Sequence, residues 1–164
     1  MLAAVKVTGW PGRLERLSYR GRYVVLDGAH NSQAAEALAD AMAELAPTCE
    51  VLVLGTSADK DHDGLLGPLV SVARTVVVTR SALSPRATEP SRLADLVREA
   101  VVGDGREPRA DGVITTRGPA EALATALELA PVGDMIVVAG SLFLVGEVRT
   151  LVLGEHGELA ERWQ

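Results

Sequence analysis

Apolar runs of four to six residues rich in Val, Ile and Leu recur along the chain at Tyr23–Leu26, Val51–Leu54, Thr75–Thr79, Val113–Thr115 and Met135–Ala139. Their length and β-branched content predict buried strands. Between them lie residues at helical spacing: Ala35, Leu38, Met42 and Leu45; Leu65, Leu66, Leu69 and Val72; Leu93, Leu96, Val97 and Ala100. Ala120, Leu123 and Leu127 continue the pattern, as do Leu144, Val145, Val148 and Leu151. Each set puts an apolar stripe on one side of a helix. Strands that alternate with amphipathic helices predict crossover connections and a mostly parallel sheet covered on both faces. Leu14–Ser18 and Tyr23–Leu26 are separated by the polar stretch Tyr19–Arg22, which predicts a hairpin and one antiparallel strand.

With 164 residues the chain suffices for one compact unit with a single sizeable core. No uninterrupted apolar stretch reaches the length of a membrane span, and Met1–Lys6 lacks a basic leader followed by a long apolar region. The expected location is the cytoplasm. A net charge of −6, without basic residues interleaved with aromatics, argues against a nucleic-acid partner. The lone Cys49 has no internal disulfide partner and is expected to pack as a small hydrophobe. Leu2–Val7 followed by Thr8-Gly9-Trp10-Pro11-Gly12 reads as a linker entering a domain, and 103–108 as a polar loop.

In an open parallel sheet, ligands bind beyond the carboxyl ends of the strands. The segments to inspect are therefore Asp27–Ser32, Gly55–Asp63, Thr79–Pro90 and Gly140–Leu142. The most specific is Asp27-Gly28-Ala29-His30-Asn31, which follows a strand and precedes a helix that Asn31 or Ser32 would cap. Asp27 could accept from two neighbouring hydroxyls, such as those of a ribose, and His30 could meet a base or phosphate; equally, Asp27 could only close the turn. Arg13 follows a rigid Pro-Gly turn, where it could fork onto a phosphate or carboxylate or pair with Glu15.

Asp59-Lys60-Asp61-His62-Asp63-Gly64 matches the first half of a calcium loop, but the twelfth position, which requires a bidentate Glu, is Val70. Asp63 is expected to cap the following helix instead. Neither His62 nor His156 completes a metal site by spacing.

Trp-Pro-Gly-Arg-Leu-Glu at 10–15, followed by a strand pair and Asp-Gly-Ala-His-Asn, resembles the opening of the C-terminal domain of folylpolyglutamate synthases. Gly55–Asp61, Val76–Ser81, Pro85-Arg86-Ala87 and Val137–Phe143 resemble that family in order and spacing. The likeness runs from Trp10 to about Arg149. It implies the ATP-dependent amide ligases related to the Mur ligases, which activate a carboxylate as an acyl phosphate and join it to an amino acid. It also implies a three-layer, Rossmann-like α/β domain: a mostly parallel sheet of about six strands with one antiparallel strand and helices on both faces. Residues 1–9 would be residual interdomain linker and 10–164 the C-terminal domain.

By the same resemblance, Arg13 would face the ATP phosphates, Asp27 the ribose, and His30 the region shared by nucleotide and glutamate. Ser141 and Arg86 would serve the glutamate, although Ser141 also suits a helix cap. The family often has Pro where this chain has Ser32, and no G-x-x-x-x-G-K-[ST] loop occurs here. ATP and Mg²⁺ would therefore depend on an N-terminal ATPase and folate-binding domain, which would be the partner of this one. L-glutamate and folate or dihydropteroate would be the other ligands, and no catalytic residue is expected in this domain alone. The alternatives are another Mur-type amide ligase acting on a UDP-linked peptide and a free-standing domain that binds a nucleotide or amino acid without catalysis.

Overall fold

The computed structural model describes residues 11–103 and 112–154. The expected linker at 1–9, Trp10, most of the 103–108 loop and His156 lie outside them. The chain runs β1 (Glu15–Tyr19), β2 (Arg22–Leu26), α1 (Ser32–Leu45), β3 (Val51–Leu54), α2 (His62–Val70) and β4 (Thr75–Val78). It continues through α3 (Pro90–Gly103), β5 (Gly112–Thr115), α4 (Pro119–Leu129), β6 (Met135–Ala139) and α5 (Leu142–Gly154). One six-stranded sheet has the order β1-β2-β6-β3-β4-β5, with only the β1–β2 pair antiparallel. Fold class and strand content agree with the expectation from the sequence.

Alternation along the strands sorts their side chains into two cores, because successive residues point to opposite faces. Val25, Leu52, Leu54, Val76, Val78 and Val137 pack with residues of α1, α2 and α3. Val24, Leu26, Val51, Val53, Val77 and Val138 pack with α4 and α5. Every residue of β6 is buried, as its place between β2 and β3 demands. Burying each such aliphatic side chain stabilises the fold by roughly 1.5–3 kcal/mol. Cys49 is buried as expected, with its thiol 3.3 Å from the Met135 carbonyl. No helix among the described residues is long and apolar enough to cross a membrane.

Several boundaries differ from the pattern-based reading for local reasons. The hairpin turn is just Arg20-Gly21, both at positive φ, so Tyr19 and Arg22 join the ladder as a facing pair. Leu14 is not in a strand: its φ of 46° places it in the turn before β1. Helix α2 is capped by Asp61, whose carboxylate accepts the Asp63 N–H at 3.2 Å, rather than by Asp63. Ser71 and Val72 lie beyond α2, which carries Pro68 near its end. Asn31, not Ser32, caps α1, accepting the Ala34 N–H at 2.9 Å.

The site is placed by the way neighbouring strands hand the chain to opposite faces. β2 leads into α1 on one face of the sheet, and adjacent β6 leads into α5 on the other. Their exit loops diverge, which is where an open α/β sheet leaves a crevice. Backbone bonds hold the exits in register: Asp27 donates to Val138 at 3.0 Å and Gly140 to Ala29 at 2.9 Å. Gly140 has a φ of 103°, and a Cβ there would run into the Gly55 carbonyl, so the exits of β6 and β3 approach as closely as they do only with glycine.

Candidate functional site

A hollow of about 520 Å³ opens at the β2 exit, lined among others by Arg13, Asp27, His30, Asn31 and Leu142. The three residues singled out for nucleotide contact thus share one cavity, although Arg13 enters from the turn before β1.

Both Asp27 oxygens hold backbone. Oδ1 accepts the Ala29 N–H at 2.9 Å, closing the bend, and Oδ2 accepts the Leu14 N–H at 3.0 Å, tying in the Arg13 turn. Burial pushes the carboxyl above its ordinary value, opposed by the N–H bonds from Leu14 and Ala29 and by the charge of Arg13. A carboxylate oxygen accepts more than one hydrogen bond, so closing the turn leaves Asp27 acceptor capacity toward the hollow. The structural and the ligand-facing readings of this residue are compatible.

His30 is oriented by its own loop. Its Nδ1 lies 2.7 Å from the Gly28 carbonyl, an acceptor only, so Nδ1 carries the hydrogen and Nε2 is left for another partner. The N-terminal end of α1, entered through His30 and Asn31, borders the same hollow. A helix start favours anions through its partial positive charge. Gly28 keeps the floor open: a Cβ there would collide with the Leu142 side chain. A cation, a helix start, hydrogen-bond acceptors and an oriented imidazole suit a phosphorylated ligand that also carries hydroxyls.

Arg86 and Ser141 do not line this hollow. Arg86 pairs with Asp59 at 3.2 Å on the surface, beside the Ser57–Ala87 bridge that joins the β3 and β4 exit loops. Ser141 is buried, and its Oγ accepts the Leu144 N–H at 3.4 Å at the start of α5. Next to it, Leu142 borders the hollow, and Leu142 and Phe143 are exposed.

The sequence reading offered Glu15 as a partner for Arg13, but the structure pairs it with Arg149 of α5, whose Nε lies 3.1 and 3.0 Å from its two oxygens. A second polar cluster also went unnoticed. Thr56 Oγ1 sits 3.0 Å from both His62 Nε2 and Thr88 Oγ1, linking the β3 exit, the start of α2 and the approach to α3. Burial, then the charge of Arg92, holds His62 below its ordinary value, against the pull of Asp61 and Asp63. Neither cluster has a local sequence signal, because its members come from separate elements.

The Mur ligase, glutamate ligase domain model matches residues 12–142. A probable bifunctional folylpolyglutamate synthase/dihydropteroate synthase of Halobacterium salinarum is 36% identical over 141 residues, which make up 86% of this chain and 16% of that protein. A UDP-N-acetylmuramoyl-L-alanyl-D-glutamate–2,6-diaminopimelate ligase of Streptomyces avermitilis is 32% identical over 139 residues, 82% of this chain and 27% of that one. Among solved structures, Mycobacterium tuberculosis folylpolyglutamate synthase complexed with ADP and AMPPCP superposes with a TM-score of 0.73 at 36% identity, covering 87% of this chain and 32% of that one. The chain spans less than a third of the length of each of these proteins. With its fold and the greater part of its length matched, the chain belongs to the Mur ligase family as a glutamate ligase domain.

Proposed function

We propose that this chain is the C-terminal domain of an ATP-dependent folylpolyglutamate synthase, which adds L-glutamate to folate or dihydropteroate in the cytoplasm. The observation that carries the reading is the shared hollow of Arg13, Asp27 and His30 at the diverging exits of β2 and β6. The similarity to synthases solved with adenine nucleotides supports it. Arg13 would meet the phosphates, Asp27 the ribose hydroxyls, and His30 Nε2 the boundary between nucleotide and glutamate. Ser141 and Arg86 would serve the glutamate from the neighbouring strand exits, where Arg86 would first have to leave Asp59.

In this reading the folate carboxylate forms a bond to the γ-phosphorus as the bond to ADP breaks. The glutamate amine then forms the amide as phosphate leaves. This domain would orient glutamate and nucleotide and stabilise charge. Magnesium would be held by the partner domain, as the resemblance to these synthases implies. The exposed Leu14, Leu142, Phe143 and Leu83 give the strand-exit side an apolar rim for an N-terminal ATPase and folate-binding domain to cover.

The diaminopimelate ligase similarity supports a second reading, a ligase of UDP-linked peptides. The test is activity of the full-length protein that carries this segment. Glutamate- and ATP-dependent release of ADP with folates but not with UDP-linked acceptors is expected; the reverse preference would transfer the assignment to the second reading.

A further inference from the structure

We infer that Glu15 and Arg149 are positioning residues for Arg13, holding the turn that presents its guanidinium to the hollow. The inference deepens the proposed function, since it rests on reading Arg13 as the cation that meets phosphate.

Arg13 is flanked by Gly12 and Leu14 at φ of 76° and 46°, both left-handed. Leu14 adopts that region against the clash of its own Cβ. Such a turn persists where its surroundings over-determine it. Three hydrogen bonds do so here: Gly12 N–H to Glu15 Oε2 at 3.0 Å, Gly28 N–H to the Gly12 carbonyl at 2.6 Å, and Leu14 N–H to Asp27 Oδ2 at 3.0 Å.

The first of these depends on a group in another layer. The Glu15 side chain is 9% exposed, and a carboxylate withdrawn from water to that extent needs hydrogen-bond and charge partners. Arg149 provides one, reaching from α5 to both carboxylate oxygens. A single carboxylate thereby fastens the Gly12 amide to helix α5. The same helix backs the turn sterically, because a Cβ on Gly12 would stand 3.3 Å from Val145 Cγ1.

The Arg13 guanidinium, by contrast, makes no hydrogen bond or ion pair among the described residues, and it borders the hollow. The backbone is fixed while the head group stays available. Ordering that the fold has already accomplished is not charged against ligand binding. Glu15 and Arg149 touch no ligand in this scheme and act through Arg13.

The test is backbone ¹⁵N relaxation together with ATP titration at millimolar concentrations, both by NMR, on the whole chain. The variants are Glu15→Gln, Arg13→Ala and the double variant. Gln retains the shape but loses the charge that engages Gly12 and Arg149 together. Order parameters at Gly12, Arg13 and Leu14 are expected to fall from about 0.85 to below about 0.6 in Glu15→Gln, with β2 and β6 unchanged. Arg13→Ala should leave them intact. The dissociation constant for ATP should rise about tenfold in either single variant, the size of one charge-assisted contact, and no further in the double variant.

Unchanged order at 12–14 in Glu15→Gln would overturn the inference, as would losses that add in the double variant. An ATP affinity indifferent to Arg13→Ala would instead overturn the phosphate reading of Arg13, while the order parameters still decide the role of Glu15. Should Glu15→Gln fail to fold, Arg149→Lys against Arg149→Met carries the same comparison: order at 12–14 retained with Lys and lost with Met supports the inference, and equal order in both overturns it.

Discussion

The Asp27 carboxylate accepts the backbone N–H of Leu14 at 3.0 Å, so the first residue after β2 is fastened to the turn that precedes the sheet. Thirteen positions of chain, including a whole hairpin, separate the two. The hollow therefore exists as a consequence of tertiary closure rather than of the Asp-Gly-Ala-His-Asn bend alone.

Replacing Asp27 by Asn is expected to cost about 1 kcal/mol of stability, because an amide offers one acceptor oxygen where Leu14 and Ala29 need two. Its pH dependence has a definite sign. The folded carboxyl holds its proton more tightly than an unfolded one, so the wild-type chain loses stability as pH rises from 3.8 through the raised folded value. The Asn variant lacks that loss, and its deficit should be larger below pH 3.8 than at neutral pH. Urea unfolding across this range checks it; a deficit that grows toward pH 7 would refute the assignment.

Two glycines should respond in opposite directions to alanine. At Gly140 the positive φ and the collision with the Gly55 carbonyl both penalise a side chain, and Gly140→Ala is expected to cost about 3 kcal/mol. At Gly146, inside α5, an added Cβ meets nothing within 4 Å, and Gly146→Ala should gain about 0.5–1 kcal/mol through helix propensity. Denaturant midpoints of the two variants decide the matter, and equal effects would sink the argument.

What the sequence revealed divides along the line between local and long-range physics. Apolar runs located β2 to β6, since burial on both faces leaves little room for other residues in Val51–Leu54 or Met135–Ala139, whereas β1, with its mixed sequence, was legible only through the hairpin turn that follows it. Asn31 and Gly28 were legible because caps and tight bends act within a few residues. Glu15 was offered as one possible partner of Arg13, its near neighbour in sequence, but it pairs with Arg149, more than a hundred positions away. Asp61 displaced Asp63 as the cap of α2 because two acids near a helix start compete and spacing alone does not rank them. The insertion of β6 between β2 and β3, which creates the crevice, follows from sheet order, on which the strand pattern is silent.

His62 gives the fold an acid-sensitive joint. Its imidazole, bonded to Thr56 and facing Arg92, is held below the ordinary 6.5 by burial and by that positive charge, with Asp61 and Asp63 opposing. Below 6.5 the unfolded chain takes up the proton more readily than the folded one, so the stability associated with a neutral His62 is present above that pH and is lost as pH falls. Thermal melts of His62→Gln should show a flatter slope than wild type between pH 7 and 5. A slope as steep as wild type would mean that another group titrates.

Affinity for ATP by the chain alone should be weak, with a dissociation constant on the order of 1 mM, equivalent to roughly −4 kcal/mol. The favourable groups are few and come from one side: Arg13, the start of α1 and the Asp27 acceptors. Against them stands a net charge of −6, which repels a polyphosphate at long range and is overcome only where the cation is close. In a full-length protein, a second domain closing over the hollow would exclude water and strengthen the same contacts. Raising the salt concentration should therefore change affinity little for the isolated chain, since screening weakens the distant repulsion and the local attraction together. Calorimetry that returned a submicromolar constant for residues 1–164 would show that the nucleotide site is complete without a partner domain, and the incomplete-cleft reading would have to be abandoned.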